Sequence, residues 1–207
     1  MLSDPYVMTV PDWFRPILVN GIIIPLSQFS STAHYELIWD NSLDDSPLIH
    51  QAKQLSEKRE ERTGCPTEPA MRYGQPDTTA ALDYLMSKNN RLHEVVVFPL
   101  FPQYAESSYK TAVDQVGKEF FKRPYPFRLK FIEPYFNHPA YISALAESIR
   151  PYIEKEYDKI IFSFHSLPLD HVEEGWKKGK EFDYVYQTKE TVRLVIKELG
   201  IDTKKTR

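Results

Sequence analysis

Three short stretches carry side chains whose types and placement could do chemistry. His165 lies in Lys159–Pro168 (KIIFSFHSLP), Arg72 and Tyr73 lie in Met71–Pro76 (MRYGQP), and Tyr104 closes Pro99–Tyr104 (PLFPQY). Histidine exchanges a proton near neutral pH and, as neutral imidazole, binds metals. An arginine fork pairs with carboxylates, and a tyrosine offers an apolar ring with a polar tip. Each also has a plainer reading. A lone histidine is often a core residue satisfied by a backbone carbonyl, and a strand-end arginine is often a salt-bridge partner. Shared position tips the balance, because each stretch follows a run of strand type. In a parallel sheet all strand C-termini lie at one end, where open α/β sheets bind ligands. Arg72, Tyr73, Tyr104 and His165 are therefore expected to converge on one rim. The other histidines (His34, His50, His93, His138, His171) read as structural. His171 follows His165 at a spacing that is no metal signature.

The elements that must position these groups alternate. Short apolar or alternating runs predict strands at Glu68–Tyr73, Glu94–Phe98, Phe127–Ile132 and Lys159–Phe164. Glu94–Phe98 is continuous and β-branched, as in a buried parallel sheet. A short helix is predicted over Ser30–Trp39. Ser46-Pro47 starts a helix to about Arg62, which the Thr63–Pro66 turn ends. Asp77 caps a helix over Thr78–Ser87, and Ser107 or Ser108 caps one bearing Ala112, Val113, Val116 and Phe120. Asn137 or His138 caps a helix from Pro139 to about Glu154. The last helix runs from about Asp183 to Leu199, with Gly200 at its C′ position. Trp13–Leu26 is apolar and punctuated by Pro16, Asn20, Gly21 and Pro25. It reads either as a segment packed on a core or as an exposed lip that holds a ligand or touches a membrane surface. The alternation indicates an α/β protein with parallel sheet. So few strands in 207 residues would make small, marginal sheets, which suggests sheets left incomplete within this stretch.

Composition narrows the class. A formal net charge of -3 supplies no global basic field for nucleic acid. No Gly-x-Gly-x-x-Gly or other Gly-rich phosphate loop is present. Cys65, the single cysteine, excludes an internal disulfide and any site built from several cysteines. The first residues lack the pattern of a secretory signal, and Pro16–Leu26 is too short to span a bilayer. The expected location is cytoplasmic.

At these residues the sequence resembles the ferrochelatase family, which inserts ferrous iron into a porphyrin in haem biosynthesis. FSFHSLP at Phe162–Pro168 is similar to the family signature around its histidine. MRYGQP at Met71–Pro76 and PLFPQYAESS at Pro99–Ser108 resemble two further blocks in the family's order. LSDPYVM near the start, NGIIIPL at Asn20–Leu26, DDSPL at Asp44–Leu48 and HPAYISALAESI at His138–Ile149 agree with them. The resemblance implies two Rossmann-like, chelatase-type three-layer domains with parallel sheets, both incomplete. The first would cover residues 1–104 without its N-terminal strand, and the second residues 105–207 without its C-terminal part.

The same resemblance implies roles. Metal insertion removes two pyrrole N–H protons and delivers a partly dehydrated cation to a distorted macrocycle. His165 is the implied proton acceptor or metal ligand. Arg72, Tyr73 and Tyr104 match positions lining the porphyrin pocket. Ser46 matches a serine near the propionates, although capping alone accounts for it. Trp13 and Ile17, with Phe14 and Leu18, resemble the lip over the porphyrin, which adds a peripheral membrane contact to the expectations. Iron is substrate, and no prosthetic group is expected. Glu106 stands where some members have a cysteine ligand of an iron–sulfur cluster, and one cysteine supports no such cluster. Ser27–Ser31 lacks the basic residues that often meet propionates, and the family's acidic partner of the histidine maps to no residue here. The implied activity is therefore a weakly active or inactive ferrochelatase. The alternatives are a non-catalytic tetrapyrrole-binding remnant or a related cobalt or nickel chelatase. Oligomeric state is left open.

Overall fold

A β-strand makes no hydrogen bonds within itself, so a strand-type sequence becomes a strand only beside a neighbour. Two of the predicted strands find one. In the computed structural model, which describes residues 1–27, 36, 39, 46–89, 91–202 and 206, β1 (Glu94–Val97) and β2 (Arg128–Phe131) form a two-stranded parallel sheet. The Arg128 amide donates to the His93 carbonyl at 3.0 Å and the Ile132 amide to the Val97 carbonyl at 2.9 Å. Helix α4 (Thr111–Phe120) lies between the strands in sequence, giving the βαβ order of an α/β fold. Only one face of β1 is covered: Val95 is buried, whereas Val96 is 48% exposed.

The other two predicted strands do not form. Residues 68–73 carry no strand. In the stretch Lys159–Phe164 a single parallel bridge joins Ile160 to Thr206, and Ile161 is 74% exposed. Among the described residues, the rest of that stretch lacks a ladder to belong to. The predicted helix at Ser30–Trp39 lies outside the described residues except for Glu36 and Trp39.

The chain divides into two units, Met1–Val95 with Asp114–Arg128, and Val96–Val113 with Leu129–Arg207. In the first, α1 (Arg15–Leu18) passes into a π-helical turn at Val19–Ile23, and α2 (Pro47–Thr63) and α3 (Thr78–Lys88) follow. The caps match the sequence reading. Ser46 accepts from the Ile49 amide, Asp77 accepts from the Ala80 amide, and Gly64 ends α2 with φ 65°. Ala81, Leu82, Val95 and Phe127 supply core, and Tyr125 stacks on Phe120 at 5.6 Å between centroids. Asp83 on α3 receives the Tyr125 hydroxyl and the Arg123 guanidinium.

In the second unit, α5 (Pro139–Ile153) packs on α7 (Tyr184–Leu199), burying Ile142, Ala146 and Val195. His138 caps α5 through Nδ1, and Asp183 caps α7 through its carboxylate. Serine capping before α4 is not observed. A π-helical turn at Glu106–Lys110 leads into the helix behind Ala105, which offers no side-chain cap.

Helix α6 (Leu169–Lys178) was not legible in the sequence because its polarity is inverted. Its buried residues are His171 and Gly175, while Leu169 and Trp176 are 79% and 72% exposed. Gly175 lets the helix approach the next turn, since a methyl group there would collide with the Phe182 carbonyl oxygen. His171 has neither ring nitrogen hydrogen-bonded among the described residues. A buried unpaired polar group costs about 1–3 kcal/mol. His171→Leu is therefore expected to stabilise the chain by about 1–2 kcal/mol, read as a higher urea midpoint, whereas His171→Asn lowers it.

Candidate active site

In the first unit the predicted site residues sort into a lip and an anchored pair. Arg15, 9% exposed, faces inward. Its Nε donates to the Met8 carbonyl at 3.1 Å, Nη2 donates to the Val10 carbonyl at 2.8 Å, and Nη1 pairs with Asp12 at 2.8 Å. That anchor, with buried Val19, turns the remaining apolar positions outward. Trp13 is 73% and Ile17 57% exposed, and Ile22, Ile24 and Leu26 are exposed as well. Phe14 and Leu18 are half-buried, so the segment exposes part of its apolar surface and packs the rest. Ser46 caps α2, the plainer of its two readings.

Arg72 and Tyr73 come together on a residue that motif reading passed over. Asp4 is buried, and its Oδ2 accepts from Arg72 Nη2 at 2.5 Å and from the Tyr73 hydroxyl at 2.6 Å. Its Oδ1 accepts from the Tyr6 amide at 2.9 Å. The guanidinium lies 4.5 Å from the Tyr73 ring centroid, a cation–π stack. Beside Arg72 is a cavity of about 160 Å³ whose lining includes Asp77, Thr79, Gln115 and Glu119. Hydrogen bonds hold the acids ionised. The Ala80 amide keeps the Asp77 carboxyl below its usual range, and Lys122 does the same for Glu119. Small-molecule pockets usually measure roughly 300–1,000 Å³, so this cavity alone is too small to enclose a tetrapyrrole.

In the second unit, Tyr104 and His165 are tied to the first two turns of α7. Gln187 is 0% exposed, and its side chain is fully used. Its Oε1 accepts from the Tyr104 amide at 2.7 Å, and its Nε2 donates to the carbonyls of Lys180 and Glu181 at 3.3 and 2.8 Å. One turn on, Thr191 donates to the Phe136 carbonyl at 2.8 Å and accepts from Gln103 at 3.2 Å. Tyr184 donates its hydroxyl to the His165 carbonyl at 3.1 Å. His165 itself is exposed, in irregular chain rather than at the end of a buried strand. Tyr104 is 7% exposed, its ring edge-on to Phe182 at 5.0 Å. Glu106 pairs with Lys178 at 2.7 Å, which raises the Lys178 pKa. Burial, followed by the Glu133 charge, pushes the Tyr109 phenol up to about 12. Burial, followed by Tyr141, does the same for Tyr135. These phenols are therefore hydrogen-bond donors at neutral pH, and Tyr109 donates to the Ile132 carbonyl. Among the described residues, no group of three or more His, Cys, Asp and Glu side chains could hold a metal ion. None of the described helices is long and apolar enough to cross a membrane.

The ferrochelatase family profile matches residues 1–207, the full stretch. The chain belongs to the ferrochelatase family. The ferrochelatase of Porphyromonas gingivalis is 37% identical over 178 residues, covering 86% of this chain and 50% of that protein. Two ferrochelatases from pseudomonads behave alike. That of Pseudomonas putida F1 is 37% identical over 183 residues (88% and 53%), and that of Pseudomonas syringae pv. tomato 33% over 180 (86% and 52%). The chain spans about half the length of the curated relatives it matches. Membership accounts for the order of the sequence blocks and for the α/β fold.

Asp4, Tyr184, Gln187 and Thr191 were the residues missed. Asp4 sits in the LSDPYVM block, where a buried acid before a chain turn could have been matched to the basic MRY block. The other three share one face of α7 at helical spacing, beside the apolar face that marks the helix in the sequence. Replacing Gln187 by Leu strands the Tyr104 amide and two carbonyls, and a loss of about 2–4 kcal/mol is expected in urea unfolding. Hydrogen exchange at the Tyr104 amide should quicken with it. The raised phenols give a second expectation. Between the ordinary tyrosine value of 10.0 and about 12, the unfolded chain loses protons that the folded chain keeps, so stability falls as pH rises through that window. Tyrosinate absorbance followed through an alkaline titration should show two late phenols whose ionisation accompanies unfolding.

Proposed function

We propose that this chain contributes to ferrochelatase chemistry, the insertion of ferrous iron into a porphyrin in haem biosynthesis, with His165 as the group that accepts a pyrrole proton or receives the metal. The observation that carries the reading is the family match across residues 1–207, with His165 exposed and its backbone carbonyl held by Tyr184. A neutral imidazole reaching solvent is open both to a proton and to a borderline cation such as Fe2+. In this reading Arg72, Tyr73 and Tyr104 belong to the porphyrin-binding surface, with Trp13 and Ile17 on the apolar lip. Ser46 serves first as a helix cap. Iron is a substrate, no prosthetic group or iron–sulfur cluster is invoked, and the setting is cytoplasmic, with the lip available to a membrane surface.

A second reading, tetrapyrrole binding without turnover, draws on the lack of a multidentate metal cluster among the described residues. The chain by itself is expected to insert metal slowly. The deciding experiment is anaerobic insertion of Fe2+ or Zn2+ into protoporphyrin, followed by absorbance, with porphyrin affinity measured by fluorescence quenching. A rate that falls at least about tenfold in His165→Ala with porphyrin affinity unchanged supports the chelatase reading, the size expected for losing a general base or ligand. Equal rates in the two proteins, with porphyrin still bound, favour the binding reading.

A further inference from the structure

Arg72 already has a carboxylate. Asp4 delivers it from the N-terminal turn, with a side chain only 2% exposed against 24% for the arginine. Both Arg72 Nη2 and the Tyr73 hydroxyl bond the same Oδ2, at 2.5 and 2.6 Å, while the Tyr6 amide holds the other oxygen. Among the described residues, three donors meet this buried carboxylate and fix its orientation. The carboxylate in turn fixes a long, flexible arginine that would otherwise lose rotamer entropy on binding any ligand. Paired in this way, the guanidinium is charge-compensated and its Cζ lies over the exposed Tyr73 ring, 4.5 Å from the centroid.

We propose that Asp4 is a positioning residue that holds Arg72 and Tyr73 together as a charge-compensated cation–π pair, so that this pair recognises the face of an aromatic macrocycle and not its carboxylates. The proposal rests on the porphyrin reading above and deepens it by stating which part of the ligand these residues take. Asp4 already sets a carboxylate against Arg72 Nη2, and in this proposal carboxylate recognition falls to other residues.

The test compares protoporphyrin with its dimethyl ester, both in the same detergent, by fluorescence quenching. The proteins are the unsubstituted chain, Asp4→Asn and Asp4→Glu. Asp4→Asn is expected to weaken both ligands about tenfold and equally, and Asp4→Glu to recover part of the loss. A change in the diacid-to-ester affinity ratio in Asp4→Asn overturns the proposal, because it means that freed Arg72 takes a propionate. An independent measurement uses the unsubstituted chain. In a 1H–15N spectrum the Arg72 guanidinium protons should be resolved and slowly exchanging, as in a held ion pair, whereas an averaged Arg72 signal overturns the proposal even if Asp4→Asn fails to fold. If the unsubstituted chain binds neither porphyrin, the porphyrin reading fails and the recognition claim falls with it. Resolved Arg72 protons would then leave Asp4 with a structural role alone.

Discussion

Every buried backbone N–H and C=O needs a partner, and this requirement governs what each part of the chain becomes. Where β1 and β2 lie side by side, ladder bonds such as Ile132 to Val97 meet it, and the strand-type sequence becomes sheet. Where, among the described residues, Ile160 pairs with Thr206 alone, the following residues form no ladder, and Ile161 and Phe164 stay exposed. Elsewhere side chains take over. Gln187 satisfies one amide and two carbonyls, Arg15 two carbonyls, and Thr191 one, each from an element whose own backbone is already paired. The loops carrying candidate functional residues are among those held this way. The Tyr104 amide and the His165 carbonyl are held by side chains of α7, and Arg72 and Tyr73 by Asp4 of the N-terminal turn.

That explains how much of the fold was legible. Helix starts announce themselves in a few adjacent residues: Ser46-Pro47, Asp77, His138-Pro139 and Asp183 each cap the predicted helix. Capping is local, so the sequence contains the whole cause. Strands are not local. EVVV at Glu94–Val97 and the apolar run at 160–164 look alike in sequence and differ only in whether a neighbour lies alongside. Helix α6 escaped for another reason. A helix that buries histidine and glycine and exposes leucine and tryptophan reverses the pattern by which amphipathic helices are recognised.

The candidate site divides along the same line. The MRY and FHSLP blocks were visible because their chemistry lies in consecutive residues. Their supports lie 68 positions away in the case of Asp4 and Arg72, and 19 in the case of Tyr184 and His165. A buried acid that answers an arginine leaves no periodic trace, and neither does a tyrosine that bonds a histidine's carbonyl instead of its ring. Motif reading therefore finds groups that meet a ligand sooner than groups that hold them still.

Under the proposed ferrochelatase reading, rigid support bears on what metal insertion requires. Bending a flat macrocycle toward the metal stores strain, and a soft surface would yield instead of the ring. An arginine free in solution is such a soft surface, since it loses rotamer freedom on every contact. Anchored to a buried carboxylate and stacked on Tyr73, it presents a fixed plane at no further entropic cost. The lip differs, with its apolar side chains exposed on a helical segment anchored through Arg15. A surface of that kind adapts its side chains to a ligand while its backbone stays put. A held polar pair and an exposed apolar segment differ in how far each yields to a contact, and their anchors, Asp4 and Arg15, both lie within the first fifteen positions.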